Sequence, residues 1–170
     1  MMQDRYRYFP RPPEARRQTH RFTVGEVVEA NRRAIAGGRL AVAAGEKVNH
    51  YLTDSGRGCA VGVALPSPVL EAIAHDWLNH ARVKDIWMLC PDNQTAIDLI
   101  QMAYDTWVLQ LDDVLPDLQW WVDLADHYGL DRRGRRVLTT LPLPRSGFQS
   151  MTPERYMAIL DKIAAWDRSL

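Results

Sequence analysis

Ten aspartates, at positions 85, 92, 98, 105, 112, 113, 117, 123, 126 and 131, fall in a stretch of 47 residues that holds no Lys, Arg or Glu. Asp98, Asp105 and Asp112 recur every seven residues, nearly two helical turns, so they form one stripe with a pitch of about 10 Å. The stripe runs beside an apolar face of Ile97, Ile100, Tyr104, Trp107, Val108 and Leu111, and it is expected to be solvated. Asp113, Asp117, Asp123 and Asp126 carry the negative surface onto the next helical segment. Such a row can imitate a phosphate backbone and dock on a basic, nucleic-acid-binding surface of another protein. It can also pair with the chain's own arginines, or be a plain solvated face. Hard-cation binding needs oxygen ligands clustered around a turn, and no EF-hand spacing is present. Asp is a poorer helix former than Glu, and no i,i+4 Lys partner supports these carboxylates, which favours a role for the face beyond solubility.

The segment His75-Asp76-Trp77-Leu78-Asn79-His80 offers a second chemistry. A His-Asp doublet is the metal-ligating core of HD-type hydrolases, in which a divalent ion activates water. His50, His75 and Asp76, with a downstream Asp, would make the metal set, and Asp76 and His80 would share one helical face. This metal-dependent hydrolase is the alternative to a binding function. Gly56-Arg57-Gly58-Cys59-Ala60-Val61-Gly62 suggests a phosphate cradle, but it matches neither the dinucleotide nor the P-loop spacing. It reads as a tight turn or a close backbone approach. Cys59 beside Arg57 is the one nucleophile it would offer, since a nearby cation lowers a thiol pKa. With Cys90 the only other cysteine, both read as small buried hydrophobes and no disulfide framework exists.

The remaining charge sits at the ends. Residues 1–40 carry nine Arg against four acids, and residues 132–170 carry eight basic against three acidic residues. The formal net charge of zero is therefore a cancellation of segments rather than a neutral surface. Arg5, Arg7, Arg11, Arg16, Arg17 and Arg21 interleave with Tyr6, Tyr8 and Phe9, while Arg132, Arg133, Arg135 and Arg136 surround Gly134. Arginines among aromatics can grip nucleic acid, but with ten aspartates at hand, pairing within the chain or between copies is the simpler use. Trp120 and Trp121 point about 100° apart on a helix. Trp121 belongs in the core and Trp120 is expected to be partly exposed, as an interface anchor.

These groups need elements to hold them. At 170 residues, 46% hydrophobic and 25% charged, the chain suits one folded domain. Thr23 and Glu26 form a capping box that opens a helix to residue 36, ended by Gly37-Gly38. Ser67-Pro68 opens another, with Leu70, Ile73, Ala74, Trp77 and Leu78 on its inner face. Asp92 caps a long helix to about Leu111. A further helix spans roughly 114–128, with Leu118, Trp121, Val122 and Ala125 inward and Gly129 as its stop. Thr152-Pro153 opens the last, carrying Tyr156, Ile159, Leu160 and Ile163. Weak strand patterns fall at 39–44, 48–52, 86–90 and 136–141. The fold class is mainly α or α+β, a single compact domain of about five helices with a few short strands, residues 23–170, behind an Arg/Tyr/Pro-rich arm, residues 1–22.

No apolar run approaches the ~20 residues of a membrane span, and the first residues lack the apolar core of a signal peptide, so a cytoplasmic location is expected. The sequence favours a non-enzymatic interaction module with no cofactor. Its partner would be a protein with a basic surface, and the module a small inhibitor of the kind phages and mobile elements carry. Its contacts would be Asp98, Asp105, Asp112, Asp113, Asp117, Trp120, Asp123 and Asp126. Direct nucleic-acid binding is the weaker reading, and a homo-oligomer pairing Arg-rich ends with Asp faces is a further alternative.

Overall fold

The computed structural model describes residues 19–42, 50–111, 116–144 and 150–170. They form a mostly helical single domain with a two-stranded parallel sheet. Strand β1 (His20–Phe22) leads into helix α1 (Val24–Ala36), and a loop with a short 3-10 turn at Gly62–Ala64 leads to α2 (Ser67–His75). Strand β2 (Leu89–Pro91), α3 (Gln94–Leu111), α4 (Leu118–Tyr128), α5 (Arg132–Leu138) and α6 (Pro153–Arg168) follow. The sheet pairs His20 with Leu89 and Phe22 with Pro91. The fold thus takes in His20–Phe22, residues that composition alone assigns to the arm.

The helix ends obey local chemistry. The Thr23 hydroxyl accepts from the Glu26 amide at 3.1 Å and the Glu26 carboxylate accepts from the Thr23 amide at 3.0 Å, which satisfies two donors the first turn leaves orphaned. Thr152 caps α6 through the Arg155 amide, and Gly129, at φ 64°, stops α4 in the left-handed conformation glycine adopts freely. α3 begins one residue later than expected. Asn93 is its cap, accepting from the Ala96 amide at 3.1 Å, while the Asp92 amide donates to Phe22 O and prolongs the ladder.

α3 packs against α6, α5 and α4, and α6 also packs against α1. Tyr156, Ile159, Leu160 and Ile163 of α6 are fully buried, as the spacing predicts. A buried polar joint fixes this layer. The Asn31 amide donates to Val27 O and Ala60 O, both at 2.8 Å, and its carbonyl accepts the Tyr156 hydroxyl at 2.6 Å. α1, the glycine-rich loop and α6 thus share one side chain. The loop itself is pressed against Tyr51. A Cβ on Gly62 would lie 1.9 Å from Tyr51 O and one on Gly58 2.5 Å from it, so only glycine fits either position.

Three expectations need correction. The strand pattern at 136–141 is part of helix α5 and the turn after it. Asp131 accepts from the Gly134 amide at 2.7 Å and caps α5, and arginine is a good helix former, so the segment satisfies its backbone locally. α2 ends at His75 and does not continue to His80, because Trp77 turns into the left-handed region at φ 63°. Asp76 and His80 therefore do not share a helical face, and Trp77 is 69% exposed rather than inward. Leu40 makes only an isolated bridge to Gly58, and none of 50–52 is strand, with bends at 51 and 52. The rest of those two strand patterns, at 43–44 and 48–49, lies outside the described residues.

Candidate functional site

The sequence-selected aspartates divide into two groups. Asp98 and Asp105 are drawn inward. α3 is covered nearly all round, so its acidic stripe is not solvated: Asp98 is 6% exposed and the Asp105 Oδ1 atom is buried. The reason is tertiary. One apolar face is legible in the sequence, but α4, the loop at 50–62 and the turn at 82–85 close over the other side. Asp98 accepts from Gln94 Nε2 at 2.9 Å, and Asp105 accepts the Tyr128 hydroxyl. Burial pushes the Asp98 carboxyl up to about 6, against the pull of its Gln94 hydrogen bond and of Lys84 and Arg82. Burial pushes Asp105 up to about 7, against the Tyr128 hydrogen bond. Carboxylates so placed cannot meet a partner's surface. Asp112 and Asp113 lie outside the described residues.

Asp117, Asp123 and Asp126 are exposed along α4. Asp117 caps the helix through the Trp120 amide at 2.8 Å, Asp123 accepts from Gln119 at 2.8 Å, and Asp126 bridges to Arg135 of α5 at 2.7 Å. Trp120 is half-buried, and its indole N–H donates to the Thr106 hydroxyl at 3.1 Å. Trp121 is in the core, with its N–H on Pro144 O.

Beside these acids lies what the sequence did not reveal. Leu118 and Val122, expected inward, are 64% and 43% exposed. α4 touches the body through Trp121, Leu124, Ala125 and Tyr128 instead, which turns the Leu118–Val122 edge of its apolar arc to solvent. Four residues apart, the two side chains stand about 6 Å apart along one ridge. They line a groove of about 270 Å³ between α4 and α5, with Trp121, Leu138 and Leu143 as its floor and Arg135 at its edge. That is below the roughly 300–1,000 Å³ of small-molecule sites and suits inserted side chains.

The metal set does not assemble. His50 Nε2 lies 2.9 Å from His80 Nε2, with Asn79 between the two segments, and His75 Nδ1 lies 3.0 Å from Asp76 Oδ1. Among the described residues no group of three or more His, Cys, Asp or Glu side chains is placed to hold a metal ion. Cys59 is fully buried, and desolvation raises its thiol to about 11; it is a packed hydrophobe rather than an activated nucleophile. Among the described residues no helix is long and apolar enough to cross a membrane. Comparison with family models, curated proteins and solved structures finds no match.

Proposed function

We propose that the protein is a non-enzymatic interaction module that docks through the α4–α5 face. The observation that carries this reading is the exposed Leu118–Val122 ridge over an apolar groove, flanked by Asp117, Asp123 and Asp126. Adjacent outward-facing apolar residues beside charged neighbours are the usual make-up of a docking surface, in which the apolar centre supplies affinity and the rim supplies specificity. The partner surface would place apolar side chains in the groove and basic groups against the aspartates. The acidic contact is smaller than the sequence suggests. Asp98 and Asp105 stay inside the fold, so a long phosphate-mimicking row is not part of the proposal.

The test compares the tagged full-length chain with a Leu118→Lys/Val122→Lys variant by chemical cross-linking in the native host. Both side chains are exposed, so thermal melting should show an unchanged fold. Adducts present with the unsubstituted chain and lost with the variant support the reading. The same adducts at the same yield with both overturn it.

A further inference from the structure

Arg132, Arg133, Arg135 and Arg136 all lie on the one short helix α5. Arg135 bridges to Asp126 and borders the groove. The other three, for which the sequence makes pairing within the chain the simpler use, bridge to no carboxylate among the described residues. Neighbouring acids are engaged elsewhere: Asp131 caps α5 through the Gly134 amide, and Asp167, next to Trp166, accepts from Asn93 at 2.9 Å. Gly134, Val137 and Leu138 form the buried side of α5. Arg132 and Arg136, four residues apart, stand within about 30° of the opposite direction. Arg133 lies on the flank, its guanidinium 5.2 Å over the Trp166 ring. That stack holds the planar fork in one place while its edge N–H groups stay available to a ligand. The exposed positions of α5 are these three arginines alone.

A protein partner is held by an apolar centre within a polar rim, and the outward face of α5 has no apolar side chain. A phosphate backbone needs only positive charge and N–H donors, and arginine forks match its oxygens in pairs. We infer that the outward face of α5 binds the phosphate backbone of a nucleic acid through Arg132, Arg133 and Arg136. The inference goes beyond the docking reading and stands apart from it, since none of the three arginines lines the groove. Phosphate contacts carry no sequence information, so binding should be indifferent to sequence and steep in salt.

Fluorescence anisotropy on the full chain tests this. The probes are labelled DNAs of about 20 nucleotides in two unrelated sequences, single-stranded and duplex, in salt from about 50 to 300 mM. The site variant is Arg132→Ala/Arg133→Ala/Arg136→Ala, and alanine keeps the helix. The control variant, Arg33→Ala/Arg39→Ala/Lys162→Ala, removes the same charge from exposed positions on other elements. Arg5, Arg7, Arg11, Arg16 and Arg17 are present in every protein, so the comparison reads α5. Circular dichroism melts are the fold control. At about 50 mM salt the site variant should bind at least tenfold more weakly than the unsubstituted chain. Its slope of log affinity against log salt should be shallower by about 2 on single strands and about 3 on duplex, one released phosphate contact per arginine. The control variant should stay within about threefold of the unsubstituted chain. If losing the Trp166 stack unfolds the site variant, Arg132→Ala/Arg136→Ala gives the same comparison with a slope change of about 1 to 2. An unsubstituted chain that binds neither form at about 100 µM and about 50 mM salt overturns the inference. So does a folded site variant that binds as tightly as the unsubstituted chain, or a control variant that loses as much as the site variant. A polyglutamate peptide of about 20 residues should bind at least tenfold more weakly than the DNA. A peptide bound as tightly as the DNA would assign the face to an acidic protein and overturn the inference.

Discussion

Replacing Asp105 by Asn should change how stability depends on pH, by an amount the structure specifies. Asp105 lies on α3 beneath α4, with one carboxylate oxygen accepting the Tyr128 hydroxyl and the other, Oδ1, buried without a hydrogen-bond partner. Burial raises its carboxyl from 3.8 to about 7. The folded state therefore holds this proton more tightly than the unfolded chain does. Stability from this group is greatest when the carboxyl is protonated and falls as pH rises from about 4 through about 7. A shift of about three units corresponds to at most about 4 kcal/mol. The Asp105→Asn variant keeps a side-chain carbonyl for Tyr128 to donate to and removes the titration. Urea melts of both proteins at intervals between about pH 4 and pH 8 give the difference in unfolding free energy at each pH. That difference should move in favour of the variant by up to about 4 kcal/mol across the window and flatten above it. Asp98, raised to about 6 by burial, titrates in both proteins, so it alters the difference only through its coupling to Asp105. A flat difference, or one that moves towards the original protein as pH rises, would refute the reasoning.

Three further substitutions probe the fold. Asn31→Ala leaves Ala60 O and the Tyr156 hydroxyl buried without their partner, and should cost about 3 kcal/mol by urea denaturation; Tyr156→Phe should cost less, and the two losses should not add, because they share one hydrogen bond. Trp77→Gly should stabilise the protein by about 1 kcal/mol, because Trp77 holds a left-handed conformation while largely exposed; a drop in melting temperature would show that its ring contributes more than its backbone costs.

The parts of the fold legible in the sequence are those fixed within one or two turns. Thr23, Thr152 and Gly129 mark helix ends because a cap is a contact between near neighbours in sequence. The spacing of Tyr156, Ile159, Leu160 and Ile163 gives the α6 face because that helix is covered on one side. α3 shows the limit of periodicity. Its apolar face is read correctly, but whether the opposite face is also covered depends on segments far away in sequence, so Asp98 and Asp105 look solvated and are not. α4 shows the same limit in reverse. Leu118, Trp121, Val122 and Ala125 belong to one apolar arc, and only the placement of the helix on the body decides which edge is left open. The sequence therefore named the acids of the candidate site, Asp117, Asp123 and Asp126, and assigned its two apolar residues to the core. The end of α5, from Arg136, reads as a strand because seven residues are too few for helical periodicity to show; the Asp131 cap is the signal that identifies the helix.

The docking claim is tested most directly by a photo-cross-linking amino acid placed at Val122 in the full-length chain, with the same group at Ala158, exposed on α6, as the control. Illumination in the native host should give protein adducts from position 122 and few from position 158. Equal yields from the two positions, or none from 122 in a folded protein, would contradict the account.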